Sequence, residues 1–235
     1  FLRRIYSPEI KIITIEDPIE YHLTGITQTQ TNDERGYTFL EGLRSALRQD
    51  PDVVMVGEIR DKETAEIAIQ ASLTGHIVFS TLHTNNSAGV IPRLIDLGVN
   101  PKILVSALSL SIAQRLVSKL CQFCKKENSP TEEEVKTIKL VLDSIKEEGK
   151  DFSKYNIKND TNFKIFSPVG CDKCNKIGYQ GRIGIFEAIK TDESIEKIIN
   201  ENPSEREIKK VAHNQGILSM RQDGIVKILN GITSI

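Results

Sequence analysis

The feature that most constrains the fold of this chain is the arrangement of its four cysteines in two C-x-x-C pairs. They are Cys121 and Cys124 in CQFC, and Cys171 and Cys174 in CDKC. This spacing lets a turn present two thiolates to a tetrahedral zinc ion, and two pairs supply all four ligands. Their polar neighbours disfavour four reduced cysteines in an apolar core, and a thioredoxin-type redox site needs only one pair. We predict a structural zinc site that joins two segments across a 46-residue insertion.

Composition and charge are those of an ordinary globular protein. With 235 residues, 39% of them hydrophobic, the chain is long enough for one large domain or two modest ones. The 31 basic and 32 acidic residues form no basic stripe, which disfavours nucleic acid as a partner. The apolar stretch at 103–113 is too short and polar to span a membrane, and FLRRIYSPEI has no initiating Met and no secretory apolar core. We expect neither a membrane span nor an export signal, and we interpret the amino end as a cut edge.

Apolar runs alternate with helical patterns over residues 1–120, which we assign to one domain. Three short runs predict buried strands: Ile12 to Ile15, the VVMV of PDVVMVGEIRD, and HIVFSTLHT. Three segments predict helices: 38–49, the stretch ETAEIAIQASL capped by Asp61, and a longer helix from Asn100-Pro101 to about Leu120. Strand, helix and strand in close succession predict an α/β fold, with a parallel sheet covered by helices.

The character of the chain changes after residue 120. We assign 121–178 to a cysteine-bearing module and 179–235 to a mainly helical subdomain. Within the module, SPTE at 129–132 is a capping-box signature for a helix whose apolar face carries Val135, Ile138, Val141, Leu142 and Ile145. Beyond it the sequence predicts a short strand, GRIGIFEAI, and helices at about 192–201, 204–214 and 219–230.

Acidic residues follow two of the predicted strands. Glu58 comes directly after VVMVG, while Glu16, Asp17 and Glu20 follow the first strand. Ligands collect at the carboxyl ends of parallel strands, where such acids can orient water or a hydrated magnesium ion. The alternative, a solvated acid at a strand end, is about equally compatible with the pattern alone. The chain contains no G-x-x-x-x-G-K-[ST] loop to hold phosphates.

Two histidines flank the third predicted strand. His76 and His83 lie seven positions apart, so in a regular strand they point to opposite faces. A lone histidine is more often a satisfied core or surface residue than a catalytic one. We therefore expect only one of the two, His83 at the carboxyl end, to reach a ligand directly.

Longer motifs resemble those of a known family. The segments are TIEDPIEY, LRSALRQDPDVVMVGEIRDKETAEIAIQASLTGH, STLHTN, QRLVSKLCQFC and CDKCNKIGYQGRIGIFE. In this order they resemble the secretion ATPases of type II secretion and type IV pilus assembly (GspE/PilB-like), over essentially the whole chain. In that family IEDPIE is the Asp box, MVGE the Walker B strand and TGHIVFSTLHT the His box. The tetracysteine module resembles the assembly branch, because retraction ATPases lack it.

The resemblance implies the C-terminal part of a RecA-like P-loop NTPase core that uses ATP and Mg²⁺. It makes Glu58 the catalytic Walker B glutamate, and Glu16 and Glu20 the Asp-box acids that help to place water or metal. His76 and His83 become sensors of the nucleotide state. Arginines are expected to act across a subunit boundary, and the candidates are Arg44, Arg48 and Arg60.

The resemblance also implies a setting. It implies a homo-hexamer at the cytoplasmic face of the inner membrane, bound peripherally to platform proteins of a secretion or pilus machine. In the family a P-loop and its helix precede the Asp-box strand, and FLRRIYSPEI resembles the end of that helix. We therefore expect the chain alone to be inactive.

Two other functions stay open at this point. One is a zinc-stabilised interaction module that docks on a membrane platform protein without catalysis. The other is a RecA-like nucleic-acid protein with a zinc ribbon, which the neutral charge disfavours. The sequence does not distinguish secretion from pilus assembly.

Overall fold

The structure of the chain is a computed structural model that describes residues 1–151, 155 and 163–235. The chain forms two compact units. Unit 1 contains residues 1–109 and 191–208, and unit 2 contains residues 110–190 and 209–235. These units do not coincide with the segments 1–120, 121–178 and 179–235, whose status as domains stays a prediction. Among the described helices, none combines the length and the apolar character that a bilayer crossing requires.

Unit 1 is built on a four-stranded parallel sheet with strand order β2-β1-β3-β4. The strands are β1 Ile12–Glu16, β2 Thr27–Gln30, β3 Val53–Val56 and β4 Ile77–Ser80. Successive residues of the two central strands are buried on opposite faces, as the continuous apolar runs predict. Ile13, Ile15 and Val56 pack with Leu43, Ala46 and Ala68 from the covering helices. The predicted α/β class is confirmed.

Unit 1 also contains helices. They are α1 Leu2–Ile5, α2 Phe39–Leu47, α3 Lys62–Leu73, α4 Val90–Asp96, α5 Pro101–Ala107 and α7 Glu193–Glu201, while α8 Glu205–Ala212 is divided between the units. Thr38 caps α2 by accepting from the Glu41 N–H, and Asp61 caps α3 by accepting from the Thr64 N–H at 2.8 Å. The caps explain why both helices begin close to the positions that the sequence predicts.

The predicted helix from Asn100 to Leu120 is wrong beyond its first two turns. Asn100 caps α5 as expected, but α5 ends at Ala107, and residues Leu110–Leu120 form strand β5. This strand pairs antiparallel with β8, Tyr179–Lys190, which is longer than the short strand predicted there. Short apolar segments satisfy helical and extended patterns alike, and the long partner strand decides between them.

Unit 2 combines the β5–β8 ribbon with a smaller ribbon and two packed helices. β6 Lys126–Asn128 pairs antiparallel with β7 Ile165–Ser167. Helix α6, Glu132–Glu147, buries Ile138, Val141, Leu142 and Ile145 against apolar residues of α9, Met220–Leu229, as its periodicity predicts. The capping box lies two residues later than predicted, because Thr131 and Glu134 form it.

A buried ammonium group links the end of α6 to α9. The Lys150 side chain is 1% exposed, forms an ion pair with Glu148 and donates to Gln222 Oε1 at 2.8 Å. The Gln222 amide also donates to Glu148 at 3.0 Å. Burial raises the pKa of Glu148, but hydrogen bonds from Lys150 and Gln222 outweigh it and hold that pKa below its ordinary value. The network therefore depends on an ionised Glu148.

We expect Lys150→Ala to lower the free energy of unfolding by about 3 kcal/mol, because it removes the ammonium partner of a largely buried carboxylate and leaves only His213 Nδ1, at 3.6 Å, as an ion-pair partner. Lys139→Ala, on the exposed face of α6, is the matched control and should have little effect. Denaturant unfolding measures both. Since the pKa of Glu148 is depressed, the network's contribution should be present above its unfolded pKa and be lost as the pH falls through the folded pKa. Equal stability of the two variants would contradict this role.

Candidate functional site

The carboxyl ends of three parallel strands meet at one edge of the sheet in unit 1. The register pairs Ile15 of β1 with Val56 of β3, and Val56 with Ser80 of β4. Glu16 therefore ends β1 beside the turn that carries Glu58, and His83 follows β4 on the other side. Ligand sites of parallel α/β sheets form at such an edge.

Backbone bonds hold the turn after β3 against both neighbouring strands. The Gly57 N–H donates to Ile15 O at 2.7 Å, and the Ile59 N–H donates to Thr81 O at 3.0 Å. The Thr81 hydroxyl donates to Gly57 O at 2.6 Å. A Cβ at Gly57 would lie 3.1 Å from Ile15 O and from the Phe39 ring, so the close approach favours glycine. Glu58 is thus presented by a rigidly attached turn.

Glu58 is the most strongly engaged acid at this edge. Arg60 Nη2 donates to Oε1 of Glu58, and His83 Nε2 lies 3.2 Å from Oε2. Its side chain is only 14% exposed. The Arg60 hydrogen bond is the largest cause that lowers the pKa of Glu58, and it outweighs the opposing effect of burial. The structure thus brings Glu58, Arg60 and His83 together.

Glu16 and Glu20 differ in their surroundings. Glu16 Oε1 accepts from Thr14 Oγ1 at 2.6 Å and from Gln28 Nε2 at 2.8 Å. Gln28 lies on β2, whose sequence TQTQ is too polar to predict a strand, so sequence reasoning missed this partner. Glu20 is exposed in the loop after β1. The structure therefore fixes Glu16 and leaves Glu20 at the solvent side.

The other candidates lie in local contacts elsewhere. His76 precedes β4 at its amino end, where its Nδ1 lies 3.1 Å from both Thr74 Oγ1 and Ala71 O. On α2, Arg44 pairs with Glu41 at 2.8 Å and Arg48 donates to Ser45 Oγ at 3.0 Å. Neither arginine is brought to Glu58 by the described contacts. Their roles across a subunit boundary stay predictions.

In unit 2 the four cysteines converge as the spacing predicts. Their sulfur atoms all lie within 4.8 Å of one another, and no other group of three or more potential ligands does so in the described part of the chain. The Sγ–Sγ distances are 3.9 Å for Cys121 and Cys171, 3.7 Å for Cys124 and Cys174, and 3.8 Å for Cys171 and Cys174. Four thiolates around a tetrahedral zinc with Zn–S bonds of ~2.3 Å are separated by about 3.8 Å. The donor set and its spacing fit zinc.

Hydrogen bonds and burial act in opposite directions on the pKa values of the cysteine thiols. Cys174 Sγ accepts from the N–H groups of Cys171 at 3.2 Å and Gly178 at 3.3 Å. Burial raises the pKa of Cys174, but these bonds outweigh it and lower the pKa to about 7, whereas burial raises the pKa of Cys124 to about 12. Four thiolates this close together need a cation to stabilise them.

The whole chain matches a known protein family. A sequence profile described as "Type II/IV secretion system protein" matches residues 1–235. The chain belongs to this family. It is 44% identical to the type IV pilus assembly ATPase PilB of Pseudomonas aeruginosa and 45% identical to the type II secretion system protein E of Aeromonas hydrophila, in each case over 234 residues. Those alignments cover 100% of this chain but only 38% and 43% of the relatives.

Solved structures agree with the family assignment. The pilus retraction motor PilT, solved with bound ADP, is 27% identical with a TM-score of 0.53, over 91% of this chain and 51% of PilT. The Legionella pneumophila ATPase DotB has a TM-score of 0.59 over 96% of this chain and 49% of DotB. At 24% identity, DotB supports the fold alone. The predicted fold of this family member is therefore that of secretion and pilus ATPases.

We expect Gly178→Ala to disrupt the cysteine turns. Gly178 has φ +78°, and a Cβ there would lie 2.3 Å from Pro168 Cβ, while its N–H and C=O bond to Cys174 and Cys121. Gly149→Ala is the matched control, because Gly149 also has positive φ but has no atom within 4 Å of the added Cβ. The control should cost about 1 kcal/mol and Gly178→Ala several times more, with loss of bound zinc. Thermal unfolding and zinc analysis compare them, and similar losses for both would contradict the packing argument.

Proposed function

We propose that the protein hydrolyses ATP in a hexameric motor for type II secretion or type IV pilus assembly, with Glu58 as the catalytic acid. The observation that carries this proposal is the position of Glu58 on a backbone-anchored turn at the carboxyl edge of the parallel sheet. There it lies between the end of β1, which bears Glu16, and His83 after β4. The names of the relatives, protein E and PilB, support the same function.

In this proposal the side chains at the carboxyl edge of the parallel sheet have separate roles. Glu58 accepts a hydrogen bond from the attacking water and orients it toward the terminal phosphate. Glu16, fixed by Thr14 and Gln28, and Glu20 help to place water or a hydrated Mg²⁺ ion through hard carboxylate oxygens. His83 contacts Glu58 directly, which suits a sensor of the nucleotide state. Mg²⁺ supplies charge neutralisation on the phosphates when it is bound.

The absence of a G-x-x-x-x-G-K-[ST] loop within the 235 residues bears on this proposal. Backbone N–H groups and the lysine of such a loop provide much of the grip on the phosphates. The chain by itself should therefore bind ATP weakly and turn it over at background rates. Activity is proposed for the complete gene product, in a homo-hexamer bound peripherally to platform proteins of the inner membrane.

A zinc ion in the cysteine cluster is the second part of the proposal. Cys121, Cys124, Cys171 and Cys174 would hold it, and no coordination position stays open for substrate. The ion's role is structural: it ties the turn after β5 to the turn before β8. Closing a loop of this length constrains the unfolded chain and so stabilises the folded one.

A docking module without catalysis is the alternative function. The observation that favours it is a group of exposed apolar side chains on the two cysteine turns: Phe123 at 63%, Val169 at 61% and Ile177 at 65% exposure. Such side chains suit contact with a partner protein. The alternative is compatible with the cysteine cluster, but it gives no role to Glu16 and Glu58 at the carboxyl edge of the sheet.

We expect one zinc ion per chain. Metal analysis of the purified protein should find it, and Cys171→Ser should lose most of it, because three thiolates hold zinc less tightly than four. Ser167→Ala, a change of similar size in the neighbouring strand β7, is the control and should retain zinc. Full zinc content in Cys171→Ser would contradict the proposed ligand set.

We expect Glu58→Gln in the complete gene product to abolish turnover while ATP binding and ring assembly stay largely intact. The substitution preserves size but removes the negative charge that orients water, so the loss falls on the chemical step. Glu133→Gln, exposed on α6, is the control for the same chemical change. If the variant kept more than about a tenth of the wild-type kcat, the activation free energy would have risen by less than ~1.4 kcal/mol, and the catalytic role of Glu58 would be wrong.

If Glu58→Gln instead abolished ATP binding or the ring, Glu58 would be a structural residue. Wild-type protein without ATPase activity but with specific binding to a platform protein would favour the docking module.

A further inference from the structure

Arg60 lies beside Glu58 at the carboxyl edge of the parallel sheet. It follows Glu58 by two residues and donates to Glu58 Oε1 through Nη2. Asp17 after β1 and Asp33 in the turn after β2 also act on it, because their charges contribute to raising the pKa of Arg60. The guanidinium thus contacts Glu58 directly, and the charges of two acids from other loops of unit 1 act on it from further away. Its main partner is the acid to which we assign catalysis.

The pair differs from the surface ion pairs of the same unit. In Arg44–Glu41 the two side chains are 50% and 46% exposed, so solvent screens both ends. In Arg60–Glu58 the arginine is 59% exposed, but the glutamate is only 14% exposed. Solvent therefore screens mainly the arginine, and the guanidinium can hold the carboxylate although most of the Arg60 side chain is exposed.

Arg60 and His83 take different oxygen atoms of the same carboxylate. Arg60 bonds to Oε1, and His83 Nε2 lies 3.2 Å from Oε2. An ionised carboxylate offers about four acceptor positions, so two contacts leave about one on each oxygen. The rotation of the carboxylate is fixed from both sides, while room to accept a hydrogen bond from water is kept.

We propose that Arg60 is a positioning residue for Glu58: with His83 it sets the orientation of the carboxylate that holds the attacking water, and it does not itself contact the phosphates. This inference rests on the proposed ATP hydrolysis at Glu58. It assigns Arg60 a role within its own subunit, in contrast to the role across a subunit boundary that the family resemblance implies.

The role has two separate consequences. At neutral pH Glu58 is ionised with or without Arg60, so a change there reports orientation and falls on kcat. At acidic pH activity depends on how much of Glu58 stays ionised. Arg60 holds the pKa of Glu58 down, and His83 also lowers it. Removing Arg60 lets this pKa rise, so the acidic limb of the pH–rate profile moves to higher pH.

The test compares Arg60→Gln and Arg60→Lys with the wild type in the complete gene product. Arg60→Gln should lower kcat roughly tenfold or more with KM for ATP nearly unchanged, because misplacement of a catalytic group acts on the chemical step. Its acidic limb should move to higher pH. Arg60→Lys keeps the charge but not the planar guanidinium. Its acidic limb should therefore lie at the wild-type pH, while its kcat should lie between those of Arg60→Gln and the wild type. Arg221→Gln, exposed on α9, is the control for the same substitution and should behave as wild type.

Each other outcome overturns the inference in a distinct way. A rise in KM with kcat unchanged would make Arg60 a phosphate contact, and no change at all would make the pair a surface ion pair. An increase in kcat would mean that Arg60 restrains Glu58. Glu58→Gln separates this inference from the proposed function: full activity of that variant removes both, whereas an inactive Glu58→Gln beside a normal Arg60→Gln removes only the role of Arg60.

Discussion

The parallel pairing of β1 with β3 is the constraint that brings Glu16 and Glu58 to the same edge of the sheet. Ile12 to Ile15 pair in register with Val53 to Val56, and all of these residues except Thr14 and Met55 are buried apolar side chains. Both faces of these strands are buried, so their register is set by how the side chains pack against the covering helices and not by an alternation of polar and apolar residues. Because the strands are parallel and in register, Glu16 and Glu58 end at the same edge. The site follows from core packing.

The second unit depends on a different interaction. The β6–β7 pair that joins the segments of the two cysteine turns is only three residues long in each strand. The four sulfur atoms lie within 4.8 Å of one another, a spacing at which a bound metal ion would crosslink the two turns. The apolar faces of α6 and α9, and the buried Lys150 network beside them, stabilise the rest of this unit.

Local patterns predicted much of this structure and failed at identifiable places. The capped helices α2 and α3 and the buried central strands follow from periodicity and caps. Strand β5 was mistaken for a helix because its identity depends on pairing with β8, which lies about sixty residues later in the sequence. Strand β2 was missed because TQTQ is polar. It pairs with β1 at the sheet edge, where one side is solvated and apolar side chains are not required.

The sequence by itself determined which side chains are available for chemistry, namely the four cysteines in two C-x-x-C pairs and the acids after the first two predicted strands, and it determined the family to which the chain belongs. It did so because spacing and residue type along the chain suffice for these inferences. Only the tertiary structure decided that Arg60 and His83 bind opposite oxygen atoms of Glu58, that Gln28 fixes Glu16, and that His76 lies away from this edge. The contacts of His83 with Glu58 and of Gln28 with Glu16 join segments that are distant in the sequence, and their geometry is set by strand register and packing, which no local pattern encodes.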